Sequence, residues 1–301
     1  MTDNRELNGV IAVYKPKDWT SFDVVAKLRH ILRTRRIGHG GTLDPMAEGV
    51  LPVFVGKATK ACDILPDVQK GYVAGFKLGL TTDTQDITGT VLSRSDKSVT
   101  KEELREVASR FVGRIMQVPP MYSAVKVGGK KLYELAREGK TVEREARPVR
   151  IKILQISEYD QYSREGHLTV LCEKGTYVRT LINDIGDALG CGGVMTSLIR
   201  NYSAGIKLGD CMRIEEIQRK VAEEGVGSVL GDLDKCFAVY QPLFFDETTT
   251  RLYKNGVKLR PEQVAAEPDD EDIYRVYGNG GEFLGLGKMI GGEFRSVKNF
   301  Y

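Results

Sequence analysis

Gly38-His39-Gly40-Gly41-Thr42-Leu43-Asp44-Pro45-Met46-Ala47-Glu48-Gly49-Val50-Leu51 is the stretch from which the rest of this chain is best read. Gly38, Gly40, Gly41 and Gly49 permit tight turns and a close approach of backbone to a ligand. Pro45 restricts the residue before it and biases Asp44 away from helix. A carboxylate held in such a loop, beside a basic stretch, is a candidate nucleophile or base. The same residues also suit an Asx-Pro turn, in which Asp44 caps its own backbone, and spacing alone leaves both readings open. No G-K-[ST] ends the loop, so it is not a Walker A phosphate cradle, and the glycines do not fall in the dinucleotide-binding order.

Upstream, Gly9–Tyr14 is a short apolar run that reads as a buried strand ending at Lys15-Pro16. Thr20-Ser21-Phe22-Asp23 has the form of a capping box, and Phe22, Val25, Leu28 and Leu32 follow at helical spacing. That predicts an amphipathic helix over 21–32. Its end is basic (Arg29, His30, Arg33, Arg35, Arg36), which by itself describes a solvated face. Downstream, Tyr72, Ala74, Phe76, Leu78 and Leu80 alternate with other residues as in a strand, and Thr81–Thr90 is a polar, turn-rich connection. Thr100-Lys101-Glu102-Glu103 is a second capping box, with Leu104, Val107, Ala108 and Phe111 continuing its helix.

Residues 117–150 differ in character. They carry Pro119-Pro120, Gly128-Gly129 and a run of Lys and Arg from Lys126 to Arg150, which predicts an exposed basic excursion with one or two helical turns over 131–137. Strands are expected at 150–156 and 167–172, a helix over 177–189 stopped by Gly190, and another helix near 213–223. From Gln241-Pro242 onward the texture becomes β-rich, with short runs at 273–276, 283–286 and 294–297 between Gly and acidic turns.

Composition sets bounds. Apolar residues make up 41% of the 301 positions and charged residues 28%, ordinary values for a folded globular chain. The net charge of +3 carries no argument for a nucleic-acid partner; only a local basic patch does. Cys62, Cys172, Cys191, Cys211 and Cys236 form no C-x-x-C pair and are odd in number, which fits reduced buried thiols. His30, His39 and His167 are too scattered to build a metal site with them. Residues 1–6 are too polar for a signal peptide, and no apolar run approaches the roughly 20 residues of a membrane helix. We expect a cytoplasmic protein.

The stretch G-H-x-G-x-L-D-P-x-A-x-G-V-L resembles the catalytic motif of the TruB family of tRNA pseudouridine synthases. The resemblance extends over most of the chain. Lys15-Pro16 with Thr20-Ser21 is similar to the family's N-terminal motif, and Lys70-Gly71-Tyr72 with Leu78-Gly79 to its tyrosine strand. Val118–Ala124 is similar to the start of its RNA-clasping insertion, and Lys174–Leu181 to its arginine motif. Asp18 departs from the pattern, standing where the family usually has glycine.

The resemblance implies an α+β fold: a mixed β-sheet pseudouridine synthase core with flanking helices and an RNA-binding insertion at about 117–150, plus a small C-terminal β-rich, PUA-like domain. It divides the chain into a catalytic domain over 1–240 and an RNA-binding domain over 241–301. The implied reaction isomerises a uridine in the tRNA T loop, at position 55, without cofactor or metal. A base stacked inside a loop must first be flipped out, at a cost of a few kcal/mol. Asp44 then attacks the sugar C1′ or removes a proton from C2′, Tyr72 stacks on the flipped ring and helps remove the C5 proton, and Arg179 pairs with Asp44. His39 fills the vacated stack, Tyr177 and Leu198 contact the substrate, and Lys126, Lys130, Lys131 and Arg137 are candidates for phosphate contacts.

The expected partner is tRNA through its T arm, with no membrane, no protein partner required, and the chain acting as a monomer. Two other readings are kept: a related synthase directed by guide RNA, and a non-catalytic RNA-binding or tRNA-folding protein. Modification of bare tRNA separates the first, and release of the C5 hydrogen the second.

Overall fold

The computed structural model describes residues 7–264 and 272–301; the expectation for residues 1–6 lies outside them. In chain order the strands and helices begin with β1 (Gly9–Lys15), α1 (Ser21–Ile31), β2 (Ile37–His39), β3 (Glu48–Val55), β4 (Gln69–Leu78), β5 (Leu80–Thr82) and β6 (Val91–Arg94). They continue with α2 (Lys101–Ser109), β7 (Gly113–Gln117), β8 (Lys126–Val127), β9 (Lys130–Lys131), α3 (Leu132–Arg137), β10 (Arg147–Asp160) and β11 (Glu165–Glu173). Last come α4 (Val178–Ala188), β12 (Gly193–Ser203), β13 (Ile206–Lys207), α5 (Ile214–Glu224), β14 (Gln241–Phe244), α6 (Glu247–Lys254), β15 (Tyr274–Tyr277), β16 (Phe283–Ile290) and β17 (Glu293–Asn299).

These elements form two compact units. The first takes in the chain up to Pro45, Val50–Asp67 and Ala204–Tyr301. Thr20 caps α1 through the capping box expected for it, its side chain accepting from the Asp23 N–H. Val24, Val25 and Leu28 of α1 pack on Ile11 and Val13 of β1 and on Leu51, Val53 and Val55 of β3, and Ile214 and Ile217 of α5 close the cluster. Phe22 is not on that stripe. It is 61% exposed, and Val24 takes its place in the core; the Arg29 guanidinium lies 5.4 Å from the Phe22 ring centroid.

Within the same unit β14, β15, β16 and β17 make a four-stranded sheet, β14–β15 parallel and the other pairs antiparallel. One side of it has a core of its own built on Leu243, Tyr253, Val276 and Phe294. Leu286 and Phe300 belong instead to a cluster with Val10, Phe54, Ala58 and Phe237. Asn8 stitches the two regions, donating to the Phe300 carbonyl (2.8 Å) and accepting from the Ala58 N–H (2.6 Å).

The second unit holds Met46–Gly49 and Val68–Ser203. Its strands run in the order β12–β4–β11–β10–β7, every neighbouring pair antiparallel. Glu48 and Gly49, the first residues of β3, pair parallel with Ile199 and Arg200 of β12, which makes the sheet mixed. Helix α4 packs on β12 and β4, and α2 on β10. Between β7 and β10 the chain leaves the sheet as a β8–β9 hairpin followed by α3. Gly128 and Gly129 both have positive φ (58° and 86°), as a two-residue type I′ turn requires. Leu132 is fully buried and anchors this excursion, while Lys126 and Lys130 are exposed.

Among the described residues no helix is long and apolar enough to cross a membrane, no group of His, Cys, Asp and Glu is placed to hold a metal ion, and all five cysteines are free.

Candidate active site

In the first unit, the loop around Asp44 is clamped from both ends of the Lys15–Ser21 segment. Lys15 is fully buried, and its Nζ donates to the carbonyls of Pro16 (2.9 Å), Trp19 and Pro45 (3.2 Å). The Asp18 N–H donates to the same Pro45 carbonyl at 2.8 Å. The Ser21 hydroxyl accepts from the Leu43 N–H (2.9 Å) and donates to the Leu43 carbonyl (3.3 Å). Asp44 therefore sits between two residues whose backbone is fixed by buried partners. Asp18 makes its bond with φ at 64°, so it keeps the left-handed turn that glycine would adopt without strain.

His39 ends β2, and its Nδ1 accepts from the Gly41 N–H at 3.4 Å. That is a loop-bracing contact, and it leaves the ring half-exposed. Gly49 cannot be replaced cheaply. Its φ is 101°, and a Cβ there would lie 2.3 Å from the Arg200 carbonyl, so glycine is what lets β3 pair closely with β12.

In the second unit, Tyr72 lies opposite Arg200 of β12 and Val170 of β11, and Ala74 lies opposite Leu198. Residues directly opposite or two apart share a face, so Tyr72, Leu198 and Arg200 are together on one side of the sheet. All three are buried. Arg179 occupies the first turn of α4, where the helix dipole disfavours a cation. It is only 5% exposed, and its surroundings offset that cost. One Nη donates to the Tyr122 carbonyl, the other lies 3.9 Å from Asp86 Oδ2, and the Tyr177 ring centroid is 5.9 Å away. Gln117 fixes the backbone of Tyr177 on both sides, accepting from its N–H (2.8 Å) and donating to its carbonyl (3.1 Å).

Asp86 is the residue that the sequence reading passed over. It lies in the Thr-rich connection and is 5% exposed. Its Oδ1 accepts from the Thr84 hydroxyl (2.9 Å) and from the Thr88 N–H (3.0 Å) and hydroxyl (2.6 Å), leaving Oδ2 toward Arg179. In the hairpin excursion Lys131 and Arg137 flank the Tyr133 ring, each cation 5.4 Å from its centroid. Glu138 pairs with Lys140 (2.7 Å) and more loosely with Lys130 (3.8 Å), exposed contacts worth little and easily exchanged for a phosphate.

The first unit thus holds a clamped aspartate loop, and the second a buried arginine with an acceptor on either side and a tyrosine on a buried sheet face, side chains of the kinds that acid–base or nucleophilic chemistry uses. The profile described as TruB family pseudouridylate synthase (N terminal domain) matches residues 29–178, and that of the tRNA pseudouridylate synthase B C-terminal domain matches 179–238. The protein named tRNA pseudouridine synthase B of Clostridium tetani (strain Massachusetts / E88) is 41% identical over 293 residues, 97% of this chain and 99% of its own. Its namesake from Clostridium perfringens (strain 13 / Type A) is 42% identical over 295 residues, 97% and 98% of the two chains. Among solved structures, a chain of a Cbf5-Nop10-Gar1 complex aligns with TM-score 0.75 at 26% identity, over 97% of this chain and 85% of that one. A chain of an H/ACA RNP bound to a substrate RNA containing 2'-deoxyuridine aligns with TM-score 0.74 at 24% identity over the same shares, a likeness of fold alone. Profiles, relatives and the clamped aspartate loop lead to one assignment: the chain belongs to the TruB family of pseudouridylate synthases.

Proposed function

We propose that this protein isomerises a uridine in the T loop of tRNA, at position 55, to pseudouridine. The supporting observation is the clamp on Asp44: Lys15, Asp18 and Ser21 fix the residues on both sides of it. A carboxylate so preorganised loses little entropy in reaching a reacting atom. The N1–C1′ bond breaks, the base turns over, C5 joins C1′, the C5 proton leaves and N1 gains one; no atom is oxidised or hydrolysed. Asp44 acts at the ribose, at C1′ or C2′. Tyr72 stacks on the flipped ring and assists loss of the C5 proton, Arg179 keeps Asp44 ionised and oriented, and Leu198 and Tyr177 line the base. His39 takes the flipped base's place in the stack.

Lys126, Lys130 and Lys131 contact backbone phosphate, and Tyr133 between Lys131 and Arg137 offers a stacking face. Residues 241–301 extend the contact along the tRNA. The test is incubation of the pure protein with bare, C5-tritiated tRNA transcript. Release of tritium with pseudouridine mapped to the T loop supports the reading; tritium release only on adding a guide RNA, or none at all, overturns it.

A further inference from the structure

Three cations gather at one end of the sheet in the second unit. Lys70 is the second residue of β4, with Cys172 of β11 opposite it on one side and Ser203 of β12 on the other. Tyr72, two residues on, shares its face of the strand, and Arg200 is Tyr72's partner on β12. Lys174 follows the end of β11, and its backbone N–H donates to the Val68 carbonyl at 2.9 Å, which keeps it beside the start of β4.

These groups act on one another. Burial, then the charge of Arg200 and, more weakly, that of Lys174, push the Lys70 ammonium down to about 8. Burial pushes the Cys172 thiol up to about 11, so it supplies no counter-charge at neutral pH. Glu173 pairs with Gln69 in the ladder, so its side chain alternates to the opposite face from Cys172 and Lys70. Among the described residues the Lys70 amine has neither an ion pair nor a hydrogen bond. A half-buried cation among other cations, with no partner of its own, is arranged for an anion.

We propose that Lys70, together with Lys174 and with Arg200 behind it, receives the phosphate of the nucleotide whose base lies on Tyr72. This rests on the function proposed above and adds a subsite to it. The step from Lys70 to Tyr72 is about 7 Å along the strand, the scale that separates a nucleobase from its own backbone phosphate. The bound phosphate restores the ammonium, so binding takes up a proton near pH 8, and Lys70's contribution falls as the pH rises above that value in the free protein.

The experiment uses a T-arm hairpin, and the same hairpin with one methylphosphonate linkage 5′ or 3′ to the target uridine. One of the two replacements lowers kcat/KM of the wild type by about tenfold, the scale of a lost charge-assisted contact. Lys70→Gln loses a similar factor on the unmodified hairpin and nothing further on the methylphosphonate. Lys70→Arg keeps most of the activity, keeps the methylphosphonate penalty, and abolishes the fall in affinity above pH 8. Folding of each variant is checked by circular dichroism. A folded Lys70→Gln with full kcat/KM, or with the wild type's own methylphosphonate penalty, overturns the proposal while leaving the isomerase reading intact. A wild type inactive on every RNA overturns both.

Discussion

Arg179 is held by a backbone carbonyl and a carboxylate at once, in a helix turn that disfavours its charge. A lysine has one point charge and no planar fork, so it cannot keep both contacts and still present a donor to a substrate or a second carboxylate. Arg179→Lys is expected to lower kcat by about 10²-fold with little change in tRNA affinity. Asp86→Asn weakens the same arrangement from the other side. In single-turnover assays the double variant should therefore lose less than the product of the two single losses; full additivity would mean that Asp86 does not act through Arg179. Asp18 allows a milder test. It adopts φ 64° at a cost of about 1 kcal/mol that glycine avoids. Asp18→Gly should leave activity unchanged and raise the melting temperature by about 1–2 °C, the extra freedom of glycine in the unfolded chain offsetting part of the gain. Asp44, Tyr72 and Arg179 stood out in the sequence because each sits in an ordered motif. Asp86 was not, because a carboxylate in a Thr-rich turn has the same local pattern whether it caps its backbone or faces an arginine.

At the scale of elements, regular period decided what could be read. The capping boxes at Thr20 and Thr100 form as expected, and so do α4 with its Gly190 stop, the 131–137 turns and the β-rich end. β12 escaped, although it carries Leu198 and lies beside β4. Register shifts between Met195 and Ser197 and between Arg200 and Tyr202 break its alternation. β10 likewise runs longer than expected, to Asp160, through two such shifts. α6 was hidden by its β-branched ETTT start; the Asp246 cap, accepting from the Thr249 N–H, offsets that weak propensity. α4 also carries a titratable strain. Burial is the main cause that pushes the Asp184 carboxyl up to about 6 from an ordinary 3.8. A raised carboxyl is protonated in the folded state before it is in the unfolded one, so it lowers stability as pH rises from about 4 through 6. Asp184→Asn should therefore melt higher than wild type at pH 7.5, with the gap closing toward pH 4; a gap independent of pH would contradict this.

For the whole molecule, the small C-terminal sheet is a structural partner as well as a proposed RNA surface. Leu286 and Phe300 share a cluster with Val10, Phe54, Ala58 and Phe237, and Asn8 bonds to Phe300. Truncation after Tyr240 strips one side of that cluster and exposes buried apolar surface. The truncated chain should aggregate in gel filtration and lose cooperative melting by circular dichroism; a monomeric, cooperatively melting truncation would show that the sheet contributes little to the rest. The β-rich texture of this region was visible in the sequence, but its shared core was not, because Val10, Phe54 and Phe300 are brought together only by the tertiary fold.

The most direct test is single turnover of C5-tritiated tRNA by wild type and by Asp44→Asn. The substitution keeps size and polarity but removes the charge. Wild type should release tritium in step with pseudouridine at the T-loop uridine, while Asp44→Asn releases none and binds the tRNA within about tenfold of wild type, since phosphate contacts dominate affinity. Measurable turnover by pure, folded Asp44→Asn would contradict the assignment of Asp44.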